Sequence, residues 1–109
     1  MAFARTVKSP QRLNRMITAK INGTGTASKS GTCANNITLV DNGTGDYTLS
    51  FERFARVPEV IVTTQTATTV ARLGTVTESS VQILTQNMSS AATDAIFHVM
   101  IIGSDAEAI

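Results

Sequence analysis

Cys33 and His98 are the side chains whose types best suit covalent or acid–base chemistry, and the chain has one cysteine and one histidine. A nucleophilic thiol needs a nearby base and a third group that orients this base. Cys33 lies in the small polar stretch "SKSGTCANN", whereas His98 lies in the most apolar stretch of the chain, "AIFHVMIIG". A histidine in such a stretch is typical of a packed or interfacial residue rather than a general base. We therefore expect no enzymatic activity and no catalytic residue.

Two other stretches resemble sites for ions or phosphates. Asp41 and Asp46 flank "NGTG", which could hold a hard cation but lacks the repeated carboxylates of a calcium loop. A hairpin turn is the favoured interpretation, because Asn and Gly tolerate the positive φ of tight turns. The stretch "GTGTASKSG", Gly23 to Gly31, has the composition of a phosphate loop without its Gly-Lys-Ser/Thr ending. We interpret it as a mobile connection, and we expect no metal and no cofactor.

Apolar and polar side chains alternate over most of the chain, which is typical of strands with one buried face. No stretch shows a convincing helical period. The pattern predicts an all-β fold, an antiparallel β-sandwich or jelly-roll-like domain with about seven short strands and an extended N-terminal arm. The predicted strands are Ile17–Gly23, Ile37–Val40, Asp46–Phe51, Glu59–Gln65, Val70–Thr77, Ser80–Gln86 and Ala95–Gly103.

The last predicted strand is apolar on both faces. One side carries Ile96, Met100 and Ile102, and the other carries Phe97, Val99 and Ile101. A strand of this kind is usually buried on both faces, so something must cover the second face. The two interpretations are a central strand under a loop and a contact between subunits. We predict the subunit contact, with Phe97, Val99 and Ile101 at the interface of a homo-oligomer.

The first 16 residues differ from the rest in charge and in pattern. Residues 1–20 carry five basic and no acidic residues, whereas residues 21–109 carry four basic and eight acidic residues. We predict an extended basic arm over residues 1–16 and a β-sandwich domain over residues 17–109. The side chains of the arm that we expect to bind a partner are Phe3, Arg5, Val7, Lys8, Arg12 and Arg15.

The sequence also limits the compartment and the partners. A single cysteine cannot form a disulfide within one chain, and the start "MAFARTVKSPQRLNRM" has no apolar run typical of a signal peptide. No stretch has the length needed to span a bilayer, so we expect no membrane partner. A net charge of +1 and an arm with one aromatic residue make nucleic acid a poor partner.

Residues 45–63, "GDYTLSFERFARVPEVIVT", carry a resemblance to a known group of proteins. An aromatic-Thr-aliphatic-x-Phe strand is followed by Phe54 and then by Pro58-x-Val60, which leads into an apolar strand. This module resembles the small β-sandwich domains of tailed-phage virion proteins, including capsid decoration (cement) proteins and the tips of tail fibres. It is also similar to the pattern of the H-type lectin domain.

The virion resemblance implies a non-enzymatic structural protein, which we expect to be a trimeric capsid decoration protein made in the host cytoplasm and located in the virion. The body would supply the contacts between copies, and the arm would bind the major capsid protein or another virion protein. The chain starts with Met1 and a short arm, which favours decoration over a fibre tip. The alternative is a tail or fibre-tip module that binds a receptor or carbohydrate, with a host surface glycan as its ligand.

The lectin resemblance implies a sugar site between the subunits of a trimer or hexamer. In that family the site consists of polar and aromatic side chains on the later strands. The corresponding strands of this chain offer Thr85, Gln86 and His98, and the chain has no Trp.

The cluster "FERFARVPEV", Phe51 to Val60, could be a binding site or a corner between two strands. We predict a corner, in which Phe51 ends the inward face of one strand and Phe54 fills the core. Pro58 suits the entry of the next strand, because it fixes φ and lacks a donor. The remaining charges balance to zero and are expected to form a solvated or interfacial rim of Glu52, Arg53, Arg56 and Glu59.

Overall fold

Strands account for most of residues 14–105, which are the residues that the computed structural model describes. They are β1 (Asn14–Asn22), β2 (Ser28–Ser30), β3 (Ile37–Gly43), β4 (Asp46–Phe51), β5 (Glu59–Thr64), β6 (Thr69–Val76), β7 (Ser80–Asn87) and β8 (Ile96–Ser104). A 3₁₀ turn at Ala34–Asn36 precedes β3. Residues 14–105 contain no α-helix, and so no helix there could cross a membrane.

The strands form two antiparallel sheets. Sheet A has the order β2-β1-β8-β5, and sheet B has the order β3-β4-β7-β6. In sheet A, β8 pairs with β1 from Asn14↔Ser104 to Asn22↔Ile96 and with β5 on its other edge. The prediction of an antiparallel β-sandwich is confirmed, with β8 as a central strand of one layer.

The structure has eight strands rather than the seven that the pattern predicts. The additional strand, β2, lies in the stretch that we interpreted as a mobile connection. All three of its residues are exposed, so the stretch has no apolar alternation to reveal it. Its position depends instead on backbone pairing with β1, from Lys20↔Ser30 to Asn22↔Ser28. Pairing also extends β1 back to Asn14, so the predicted boundary between residues 16 and 17 lies inside this strand.

The core lies between the two sheets and takes every second residue of the paired strands. Tyr47 of sheet B and Phe97 of sheet A are both fully buried, and their ring centroids lie 5.4 Å apart. The buried cluster consists of Ile17, Ala19, Ile21, Ile37, Tyr47, Leu49, Phe51, Phe54, Val81, Ile83, Phe97, Val99 and Ile101.

The interface prediction for β8 chose the wrong face of this strand. Phe97, Val99 and Ile101 are 0–3% exposed and belong to the core of a single chain. Sheet B covers them, so their burial needs no second subunit. The face of β8 that points away from sheet B is the one that carries His98 and Met100.

The predicted corner between β4 and β5 is confirmed. Phe54 is fully buried, Phe51 is nearly so, and their rings meet edge to face at 5.5 Å. The Phe54 ring packs closely on Gly103. A Cβ at position 103 would lie 2.5 Å from Cδ1 of Phe54, so a larger residue would clash with the ring. The charged rim residues Glu52, Arg53, Arg56 and Glu59 are exposed.

A buried tyrosine joins three loops at the other end of the sandwich. The Tyr47 hydroxyl donates to Oδ1 of Asp94 at 2.8 Å, and the Gly45 amide donates to the same oxygen at 2.9 Å. Gly23 packs against this hydroxyl so closely that any Cβ would overlap it. Burial, and then the neighbouring Asp94 carboxylate, raise the pKa of Tyr47 well above its ordinary value.

Candidate self-association surface

The outer face of sheet A carries a continuous apolar surface. Met16 lies opposite Ile102 in the pairing of β1 with β8, and Ile61 lies opposite Met100 in the pairing of β5 with β8. Met100 and Ile102 are successive residues on the same face of β8, so the two pairs are neighbours. We call this group, Met16, Ile61, Met100 and Ile102, the apolar strip.

The apolar strip is open to solvent. Met16 is 57% exposed and Ile61 is 60% exposed, while Met100 and Ile102 are half-buried. Single exposed apolar residues are ordinary in folded proteins, but contiguous ones mark sites of association. Strand β8 therefore has an apolar face in the core and a second apolar face that the described chain covers only in part.

A polar row borders the apolar strip. Lys20 of β1 and Thr63 of β5 flank His98 of β8, and all three point outward. His98 Nε2 lies 3.0 Å from Oε1 of Gln65, a hydrogen bond whose donor depends on the tautomer. This row makes one end of the face polar and leaves the apolar strip at the other.

A shallow groove of about 520 Å³ runs over this face. Its lining includes the turn at Gly31 and Thr32 together with Thr18, Ile61 and Met100. Among the described residues, no Trp, Tyr or Phe lines this groove, so it offers no aromatic ring for a sugar to stack on.

The three residues suggested by the lectin resemblance lie apart. Thr85 is buried, and its hydroxyl donates to the backbone oxygen of Thr93 at 2.6 Å. Gln86 lies on the outer face of sheet B, where it accepts from Nε of Arg72, whereas His98 lies on the outer face of sheet A. The structure therefore does not bring Thr85, Gln86 and His98 into one site within a chain.

Cys33 and His98 also have separate surroundings. Cys33 is half-buried, and the Thr18 hydroxyl lies 3.9 Å from its sulfur. No hydrogen bond joins Cys33 to His98 within residues 14–105, and no group of three His, Cys, Asp or Glu side chains in that range could hold a metal ion.

The structure places one of the predicted arm residues in the sandwich. Arg15 lies in β1, where its Nε is 3.0 Å from the Asp105 carboxylate and its guanidinium lies 3.9 Å from the centroid of the Phe54 ring. Its Nη2 also donates to the backbone oxygens of Glu52 and Arg53. Arg15 is thus engaged within its own chain. The other predicted partner-binding residues, Phe3, Arg5, Val7, Lys8 and Arg12, lie outside the described residues.

The outer face of sheet B contrasts with that of sheet A. Asp46 accepts from the amides of Gln82 at 3.0 Å and Asn42 at 3.3 Å. Leu84, the central apolar residue of this face, lies opposite Asp46 on one side and Arg72 on the other. Hydrogen-bonding side chains thus interrupt its apolar surface.

No protein-family model, curated protein or solved structure matches this chain. The resemblance to phage virion domains therefore rests on the pattern of residues 45–63. What the surface of the molecule can bind follows from its chemistry, and the apolar strip is its most distinctive part.

Proposed function

We propose that this protein is a non-enzymatic structural subunit that works as an oligomer, and that it decorates the capsid of a tailed phage. The apolar strip on the outer face of sheet A is the observation that supports this role. A subunit of a larger assembly needs a surface that is more stable when covered, and an exposed apolar patch meets this need. Covering each further 100 Å² of it contributes about 2.5 kcal/mol to association, before the cost of ordering the partners.

The basic arm is the proposed means of attachment to the particle. Its cationic side chains, Arg5, Lys8 and Arg12, would bind an acidic surface of the major capsid protein or another virion protein. Phe3 and Val7 would add apolar anchors. Added salt should weaken this attachment, because exposed charges are screened over about 8–10 Å at physiological ionic strength.

Binding to particles tests this function. The purified protein is mixed with capsids that lack it, and bound copies per particle are counted by quantitative mass spectrometry. We expect high occupancy with the full chain and loss of binding after deletion of residues 1–13, with an unchanged oligomeric mass. Full occupancy by the truncated protein would contradict the role of the arm, and no binding by the full chain would contradict decoration.

A carbohydrate-binding module of a tail or fibre tip is the second candidate. The groove on sheet A favours it, because Lys20, Thr63 and His98 add hydrogen-bonding groups to a lining that also contains Ile61 and Met100. A glycan array separates the two candidates. Clear binding that Lys20→Ala removes would support the module, and an array without binding would leave the structural role as the better account.

A further inference from the structure

Lys20 and Glu59 occupy opposite corners of the outer face of sheet A. Lys20 lies beside His98, which is one outward position along β8 from Met100. Glu59 lies beside Ile102, one outward position from Met100 in the other direction. Because β1 and β5 flank β8 on opposite sides, Met100 lies midway between two opposite charges.

The spacing of a sheet gives the distances between these residues. Neighbouring strands lie about 4.8 Å apart, and successive same-face residues of a strand about 6.8 Å apart. The Cα atoms of Lys20 and Glu59 are therefore each about 8 Å from that of Met100, in opposite directions. A second copy is related to the first by a two-fold axis that lies in the plane of contact, passes over Met100 and runs perpendicular to the line from Lys20 to Glu59. This rotation places Glu59 of the second copy over Lys20 of the first. The same rotation places its Lys20 over Glu59, as a symmetric dimer requires.

Neither charge forms an ion pair with another residue of the range 14–105. The ion pairs among residues 14–105 are Arg15–Asp105 and Arg53–Glu78. Neither Lys20 nor Glu59 takes part in them. Glu59 is exposed and Lys20 is partly exposed. A partner that supplies the complementary charges therefore competes with no ion pair among these residues.

The size of the face suits contact between two copies. The four strands of sheet A, of nine, three, nine and six residues, cover roughly 440 Å² at a strand spacing of about 4.8 Å and a residue spacing of about 3.4 Å. Two such faces together bury about 900 Å², which is in the range of small, weak interfaces. At this area, complementary charges are important for fixing the arrangement of the partners.

We propose that two copies of this chain pack through the outer faces of sheet A about a two-fold axis at Met100. In this dimer Lys20 of each copy pairs with Glu59 of the other, and the apolar strip becomes buried between the sheets. The inference rests on the self-association proposed above and adds the identity and geometry of the contact. A cyclic trimer would need a different contact.

A charge exchange tests the arrangement. Lys20→Glu and Glu59→Lys, made singly, each place like charges opposite one another and should weaken association at least about tenfold. The double variant Lys20→Glu/Glu59→Lys restores both pairs with exchanged signs, and its dissociation constant should lie within about threefold of the wild-type value. Sedimentation equilibrium at low salt measures the dissociation constant of each protein.

Two variants serve as matched controls. Glu52→Lys and Arg56→Glu make the same charge changes at exposed corner positions outside the outer face of sheet A. They should leave the dissociation constant unchanged. Thermal melting followed by circular dichroism verifies that every variant is folded. We expect this because the four substituted residues are exposed or partly exposed.

The outcomes separate this inference from the proposed function. Single variants that associate like the wild type, or a double variant as weak as the single ones, would overturn the two-fold contact. A mass of three chains would also overturn it and leave the structural role intact. A wild-type protein that stays monomeric would overturn the contact and the self-association together.

Discussion

The two outer faces of the sandwich differ in how their apolar side chains are placed. On sheet A, each member of the apolar strip lies beside another member. On sheet B, Leu84 lies between Asp46 and Arg72, and Val70 lies beside Gln86. A single apolar side chain in water costs little free energy, whereas adjacent apolar side chains are stabilised together when one partner covers them. The arrangement of apolar residues, more than their presence, distinguishes the face that we expect to associate.

The central strands of the two sheets show the origin of this difference. In β7 the inward residues are Val81, Ile83 and Thr85, and two of the outward residues are Gln82 and Gln86. In β8 three of the five outward residues are apolar, Ile96, Met100 and Ile102. One strand thus has the alternation of a solvated sheet, and the other has the composition of a strand covered on both faces.

Phe97→Ala has the largest expected effect, and it contrasts the two faces of β8. The substitution removes a fully buried ring and should lower the free energy of unfolding by about 3–5 kcal/mol. Met100→Ala should cost less, about 1 kcal/mol, because this residue is only partly buried in the single chain. Urea unfolding at concentrations low enough for monomers measures both values. Equal costs would show that the two faces of β8 are equally buried in one chain.

Met100→Lys and Leu84→Lys compare the two sheets directly. A lysine at position 100 would be buried without a partner in the proposed contact and should weaken association at least about 100-fold. The same change at Leu84 should leave association unchanged, because this residue lies on the polar face. Sedimentation velocity over a range of concentrations measures the effect. A loss of association with Leu84→Lys instead would assign the contact to sheet B.

Tyr47→Phe examines the interior between the two sheets. It removes a buried hydrogen bond to Asp94 and should lower the free energy of unfolding by about 1–2 kcal/mol, with association unchanged. The raised pKa also predicts a pH dependence. Below about pH 10 the tyrosine is protonated in both states and its contribution is complete; above this pH it ionises first in the unfolded chain, so stability falls.

The pH dependence has its own control. Tyr47 is the only tyrosine, so tyrosinate absorbance in the near ultraviolet reports its ionisation alone. The folded protein should resist this ionisation, and stability should fall more steeply above pH 10 in the wild type than in Tyr47→Phe. Ionisation of the folded protein at the pH of free tyrosine would contradict the buried environment.

Arg15→Ala has the smallest expected effect and separates the inward and outward rows of β1. It removes the ion pair with Asp105 and the contact with the Phe54 ring, and should lower the free energy of unfolding by about 1 kcal/mol. Association and particle binding should not change, because the side chain is engaged within its own chain. Arg56→Ala, at an exposed corner position, is the matched control. A loss of particle binding by Arg15→Ala with unchanged stability would show that Arg15 binds the partner, as the sequence predicts for the arm.

The fold class could be predicted from the sequence because alternation persists through most strands. In β4, Tyr47, Leu49 and Phe51 alternate with small polar residues, and all three are buried. The corner around Phe54 could also be predicted, since burial stabilises an aromatic side chain that lies within a charged loop, and Pro58 suits the entry of the next strand. Strand β2 could not, because it contributes backbone pairing and no buried side chain.

The candidate surface was only half predictable. The sequence shows that β8 is apolar on both faces, and this predicts a second covered face. Which face meets sheet B depends on the packing of β8 with its neighbours, because the sequence of β8 alone has three large apolar residues on either side. The positions of Lys20 and Glu59 about Met100 likewise follow from strand register between segments that are distant in the chain.

The solution mass of the wild-type protein tests the central claim, self-association through the outer face of sheet A, most directly. Light scattering during size-exclusion chromatography at micromolar concentration gives this mass, with Met100→Lys run under the same conditions. We expect twice the 11.5 kDa of one chain for the wild type and a single-chain mass for the variant. A wild-type mass of one chain, or equal multiples for both proteins, would contradict the claim.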